Sequence, residues 1–163
     1  MLCDFFLQSF VNQDENFRTG IESGKLPYLL MRGFYCLVKH RIEEVNTACR
    51  SFRYFRPFDD VYELAERAKD FVSLSAQFGE GWLLPGEVAT MVHHGITHVV
   101  SLQPFGCIAN HIISKGIETR LRKLFPQLCY LSLDFDSGVS DVNVTNRLLL
   151  FANDLLEELK ELR

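Results

Sequence analysis

"ITHVVSLQPFGCIANHIISKGIETRLRKLFPQLCYLSLDF", Ile96 to Phe135, is the stretch whose reading decides the fold. It opens with "ITHVVSLQ", a β-branched run that reads as a strand. "ANHIISKGIETRLRKLF" follows with helical spacing and ends at Pro126, and "LCYLSLDF" is a second strand. Beyond it, "SDVNVTNRLLLFANDLLEELKELR" is a last helix with Ser140 or Asp141 as its cap. Strand, helix, strand, helix with short joints is the pattern of a right-handed parallel βαβ unit. The expected class is therefore α/β, with a Rossmann-like parallel βαβα unit in the C-terminal half and a helical N-terminal part.

Working toward the N-terminus, "EGWLLPGEVATMVHHG" gives an irregular segment and a short helix that Gly95 stops. "RPFDDVYELAERAKDFVSLSAQFG" is a helix capped by Asp59 or Asp60, with Val61, Leu64, Ala65, Ala68, Phe71 and Val72 at helical spacing. A longer helix is expected from Pro27 to Thr47. Its apolar residues cover most of the circumference, so it should be largely buried, with neighbours on several sides. "DFFLQSF" reads as a short helix or an extra strand, and the polar "NQDENFRTGIESGK" as a loop. The expected division is a mainly helical segment over 1–85 and a parallel α/β segment over 86–163, together one structural unit. Two parallel strands do not make a domain alone. The chain accordingly reads as a piece of a larger protein.

Composition sets outer limits. With 47% hydrophobic and 23% charged residues, the chain is long enough to bury a core. A net charge of −4 gives no basic face for nucleic acid. "LPYLLMRGFYCLVKHRI" is interrupted by Arg32, Lys39 and Arg41 and is too short to span a bilayer. The start, "MLCDFFLQSFVNQDEN", lacks a basic secretory leader, so a cytoplasmic location is expected. The five cysteines, Cys3, Cys36, Cys49, Cys107 and Cys129, form no CxxC pair, and their odd number argues against a complete disulfide framework.

In an open parallel sheet, ligands bind beyond the carboxyl ends of the strands. Here the two joints at that edge are "QPFGCIANH" and "DFDSGVSDVN". Topology thus brings Gln103, Cys107, Asn110 and His111 near Asp134, Asp136, Ser137, Ser140 and Asn143. Cys107 follows Gly106 at the approach to a helix, where a thiolate could ligate iron or act as a nucleophile. It reads equally as a small buried apolar residue. Asp134 and Asp136 could simply close a turn, and Asn143 and Arg147 could be a solvated pair.

Spacing removes several chemistries. A cysteine phosphatase needs Arg six positions after the nucleophile, where this chain has Ile113. No Walker A run or G-x-S-x-G is present. His93, His94 and His98 lie close in sequence, but their spacing, with no partnering Cys, makes no convincing zinc set. A Cys107–His111 pair requires the helix to include Cys107 already.

"GEGWLLPGEV", "LQPFGCIANHIISKG" and "LDFDSGVSDVNVTNRLLLF", with "RYFRPFDDVYE" upstream, resemble the C-terminal region of large proteins related to the activases of 2-hydroxyacyl-CoA dehydratases. The resemblance covers roughly residues 28 to 152. It implies an α/β fold and a role in an ATP-driven, low-potential electron-transfer system acting on (R)-2-hydroxyacyl-CoA esters. It also implies a [4Fe-4S] cluster with cysteines from separate segments. Cys107 is its implied ligand here, with Asn110, Asp134, Asp136 and Ser137 around the cofactor. The implied partners are the remainder of a larger polypeptide or an activase or dehydratase subunit, with a CoA ester possible. "CIAN" stands where the family has "CLPN", and "SKG" where it has "GKG". The ATP-binding domain and the other cysteine-bearing segments have no counterpart in this sequence, so catalysis by the chain alone is not expected. A docking domain for such a subunit, or a site for a CoA or nucleotide phosphate at a helix start, are the alternatives.

Overall fold

The computed structural model describes residues 2–136 and 138–161. In chain order it runs α1 (Leu2–Arg18), α2 (Lys25–Cys49), α3 (Val61–Ala68), α4 (Leu83–His93), β1 (His98–Pro104), a π-helical segment (Ala109–Ser114), α5 (Glu118–Leu124), β2 (Cys129–Phe135) and α6 (Asp141–Glu161). The sheet among the described residues has two strands, parallel, running in register from His98↔Cys129 to Pro104↔Phe135. A mixed helix and strand chain with a helical connection between two parallel strands is as the alternation predicts, but that connection is split into the π-helical segment and α5 where one helix over "ANHIISKGIETRLRKLF" is expected. "DFFLQSF" lies within α1 and adds no strand.

The N-terminal third departs from its sequence reading. α1 continues through "NQDENFR", expected to be a loop, because its polar residues find tertiary partners. Asn12 Oδ1 accepts from the indole N–H of Trp82 at 2.7 Å, and Gln77 Nε2 donates to Asn16 Oδ1 at 3.1 Å. A polar stretch can stay helical when its side chains are satisfied by neighbours rather than by its own backbone. α2 departs in the opposite sense. Its apolar circumference predicts burial on several sides, yet none of its residues is buried, and Leu29, Leu30, Phe34 and Leu37 are all more than half exposed. Only one stripe, Met31, Tyr35, Val38 and Ile42, packs on the core.

α3 is short and strongly amphipathic. Asp60 caps it by accepting from the Tyr62 backbone N–H at 2.9 Å, and Tyr35 Oη and Lys39 Nζ both donate to the same carboxylate at 2.6 Å. Val61, Leu64, Ala65 and Ala68 face a first core with Leu7, Phe10 and Val11 of α1 and with Trp82 and Leu83. A second core joins Val88, Ala89 and Val92 of α4 to Val99, Tyr130 and Leu121. α4 thus contributes to both cores. It ends at Gly95, whose φ of +80° is the left-handed conformation that a glycine adopts without a side-chain clash. Ile96 N–H reaching back to the Met91 carbonyl at 2.9 Å completes the cap.

Among the described residues, no helix is long and apolar enough to cross a membrane.

Candidate functional site

The joint after β1 is a tight turn. Cys107 N–H donates to the Pro104 carbonyl at 3.1 Å, and Gly106 sits at the third position with φ +76°. That geometry is a type II turn, which needs a residue tolerant of positive φ at that place. Phe105 N–H donates across the sheet to the Phe135 carbonyl at 3.1 Å, so the ends of the two strands are tied beside the turn. The chain then enters the π-helical segment, with His111 N–H bonded to the Cys107 carbonyl at 3.0 Å.

This turn leaves the Cys107 thiol half-buried at the carboxyl edge of the sheet. Buried Asn110 turns its amide back and donates Nδ2–H to Cys107 Sγ at 3.1 Å. His111 takes a different partner from the one sequence spacing allowed. Its Nδ1 lies 3.1 Å from the Cys107 carbonyl oxygen rather than addressing the sulfur. A carbonyl only accepts, so Nδ1 carries the proton, and Nε2 faces Asp134 Oδ1 at 3.8 Å. Lys115 Nζ lies 4.0 Å from the same oxygen. A cysteine whose neighbouring imidazole is turned onto its own carbonyl has no general base at hand, so no nucleophilic Cys–His dyad is formed.

The strand-end residues therefore divide. Cys107 with Asn110, and His111 with Asp134 and Lys115, are brought together. Asp136 is exposed just beyond β2, and Ser137 lies outside the described residues. Asn143 is exposed, whereas Arg147, read as its solvated partner, instead donates to the Ser132 carbonyl at 2.6 Å and holds α6 on β2. Five apolar side chains, Phe105, Ile108, Ile112, Phe135 and Leu102, stand around this edge with exposures between 57% and 80%.

The donor set tests the cluster that the sequence resemblance implies. A [4Fe-4S] cluster takes four cysteine thiolates. Among the described residues, the group of three metal-ligating side chains that converges does not include Cys107. Cys107 offers one sulfur of the four that such a cluster takes, and its surroundings among the described residues do not complete the set.

That converging group lies at the opposite end of the sheet, and sequence reasoning missed it. Register pairs His98 with Cys129 at the first positions of the strands, and α6 lays Asp154 over them. The ligand atoms of the three lie within 4.8 Å of one another. Burial, and then the hydrogen bond with Asp154, push the Cys129 thiol up to about 11. Spacing in the sequence compares His98 only with His93 and His94, whereas its partners come from β2 and α6, which no local spacing reveals.

Comparison with protein-family models, with curated proteins and with solved structures returned no match.

Proposed function

We propose that this chain supplies one thiolate, Cys107, to a [4Fe-4S] cluster completed by another segment or subunit, within an ATP-driven low-potential electron-transfer system related to the 2-hydroxyacyl-CoA dehydratases and their activases. The run from β1 to α6 serves, in this reading, as a Rossmann-like half whose carboxyl edge faces the cluster, in a reducing, cytoplasmic setting. The observation that carries the reading is the Cys107 sulfur itself, half-buried, bonded by Asn110 and set in a rim of exposed apolar side chains. Hydrogen bonds to ligand sulfur tune an iron–sulfur potential, and Asn110 is placed to provide one. An apolar rim around a polar ligand is what a partner surface covers when it excludes water from a redox centre. The docking and cluster readings thus meet at one edge: the occupant of the rim is the polypeptide that bears the remaining cysteines. Asp134, drawn toward His111 and Lys115, shapes the mouth of that edge.

The test is anaerobic reconstitution, with iron and sulfide, of the complex between this chain and its dehydratase and activase partners. Iron analysis and visible absorption would then be compared for the wild type and Cys107→Ser. The expected outcome is loss of the charge-transfer absorption and of most bound iron in the variant, with the subunits still associated. Unchanged iron content in Cys107→Ser overturns the assignment.

A further inference from the structure

We propose that His98, Cys129 and Asp154 form a three-ligand site for Zn²⁺, separate from the Cys107 edge and at the opposite end of the same two strands. The case rests on what surrounds the His98 ring. Its side chain is only 8% exposed, and its two nitrogens have very different company. Nδ1 lies 3.0 Å from Thr97 Oγ1 and 3.3 Å from Glu158 Oε2, while Thr97 Oγ1 donates to that same carboxylate at 3.4 Å. A carboxylate only accepts, so the Thr97 proton goes to Glu158 and the hydroxyl oxygen is left to accept from Nδ1–H. That commits Nδ1 to the Thr97 and Glu158 side and leaves Nε2 as the ring nitrogen turned toward Cys129 and Asp154.

Nε2 is fully buried and makes no hydrogen bond among the described residues. Asp154 Oδ2 lies 3.4 Å from it, with Cys129 Sγ completing the triangle. A buried imidazole nitrogen without a hydrogen bond, facing a carboxylate oxygen and a sulfur, is a donor set that a cation can occupy in place of the thiol proton that Cys129 shares with Asp154. Nitrogen, oxygen and sulfur together match zinc, a borderline-soft ion that takes all three. Glu158 and Thr97 then take the part of the outer residues that hold a metal-bound histidine by its other nitrogen.

Geometry and access agree. Zinc bonds of about 2.0–2.3 Å set ligand atoms roughly 3.3–3.8 Å apart, so closing on the ion asks for an inward shift of about 1 Å. Asp154, 63% exposed on the face of α6, is free to make it. A cavity of about 300 Å³, lined also by Glu157 and Glu158, opens the site to solvent and surrounds its mouth with negative charge. With three protein ligands the fourth position is open to water. Without metal, the raised Cys129 thiol stays protonated and unreactive; a bound cation reverses this by deprotonating it outright.

The experiment is a titration of the reduced, chelator-stripped full chain with cobalt(II) chloride, followed by displacement with zinc chloride. A single equivalent should give the near-ultraviolet thiolate-to-cobalt charge-transfer band with tetrahedral visible bands, all bleached by zinc. Cys129→Ser should abolish the charge-transfer band, and Asp154→Asn, an exposed change that does not threaten folding, should weaken binding. Glu158→Gln should cost about 10–100-fold in affinity, as loss of an outer partner does. Cys107→Ser should leave the titration unchanged, which keeps this outcome distinct from that of the iron–sulfur reading. Absence of the band in the wild type, its survival in Cys129→Ser, or its loss in Cys107→Ser overturns the proposal.

Discussion

Glu87 is a carboxylate set into the interior side of α4. Burial, helped by the negative charges of Asp4 and Glu80, pushes its pKa from 4.5 up to about 7. The folded state therefore holds a proton that the unfolded chain has already lost between those values. Its contribution to stability is fully present below pH 4.5 and disappears as pH rises through about 7. The size of the effect is on the order of 3 kcal/mol. Glu87→Gln should flatten the fall in stability between pH 5 and pH 8, read from urea unfolding at both values. A variant that keeps the full slope would show that another group is responsible. Residues of this kind are poorly legible in sequence. Nothing in "LLPGEVATM" marks the Glu87 side chain as half-buried, since a single acid on an apolar helix normally faces water. Gln103 teaches the same lesson from the other side. Topology groups it with the strand-end residues, and register does set it opposite Asp134, yet its amide is fully buried and neither of its polar atoms makes a hydrogen bond among the described residues.

At the scale of elements, the contact between α3 and α4 depends on a missing side chain. A Cβ at Gly86 would stand 2.7 Å from the Leu64 carbonyl oxygen and 3.3 Å from Ala68 Cβ. The backbone oxygen cannot rotate away, so Gly86→Ala must push the helices apart. The expected cost is about 1–3 kcal/mol despite the better helix propensity of alanine, and thermal unfolding would measure it. A gain in melting temperature would mean that the helices are not in contact there. The sequence made the strand–helix–strand order plain because β-branched runs and a stopping proline are local signals. α1 and α2 were less legible for complementary reasons. The polar residues of α1 are satisfied at long range by Trp82 and Gln77, while most apolar residues of α2, outside the stripe that meets the core, look like core yet stay exposed among the described residues.

Across the whole molecule, burial is concentrated around α3, α4 and the two strands, with α2 and α6 laid on the outside. α6 is tied down by the Arg147 bond to Ser132 and by Phe151 stacked edge-on against His98, 5.3 Å between centroids. Few buried contacts mean low-energy local opening. Amides in α2 and α6 should therefore exchange at least about tenfold faster than those in α4 and β1 under native conditions, as hydrogen–deuterium exchange would resolve. Equal protection throughout would show one cooperative unit with no outer layer. The same scale explains what could be foreseen of the sites. Topology alone was enough to place Cys107 beside the end of β2. The His98 group required knowing which strand positions pair and where α6 comes to rest.

The parallel register also acts as a ruler between two sulfur atoms. Cys129 begins β2 and Cys107 lies just past the end of β1, so a full strand, roughly 20 Å at 3.3 Å per residue, separates them. A disulfide needs α-carbons within about 7 Å, so this pair cannot close on itself without dismantling the sheet. An alkylating reagent thus meets two independent thiols, and the one beside the apolar rim should label first, since the other is held protonated beneath α6. Selective tagging of Cys107, in a background with Cys3, Cys36 and Cys49 replaced, would provide a spectroscopic reporter at the open edge of the sheet.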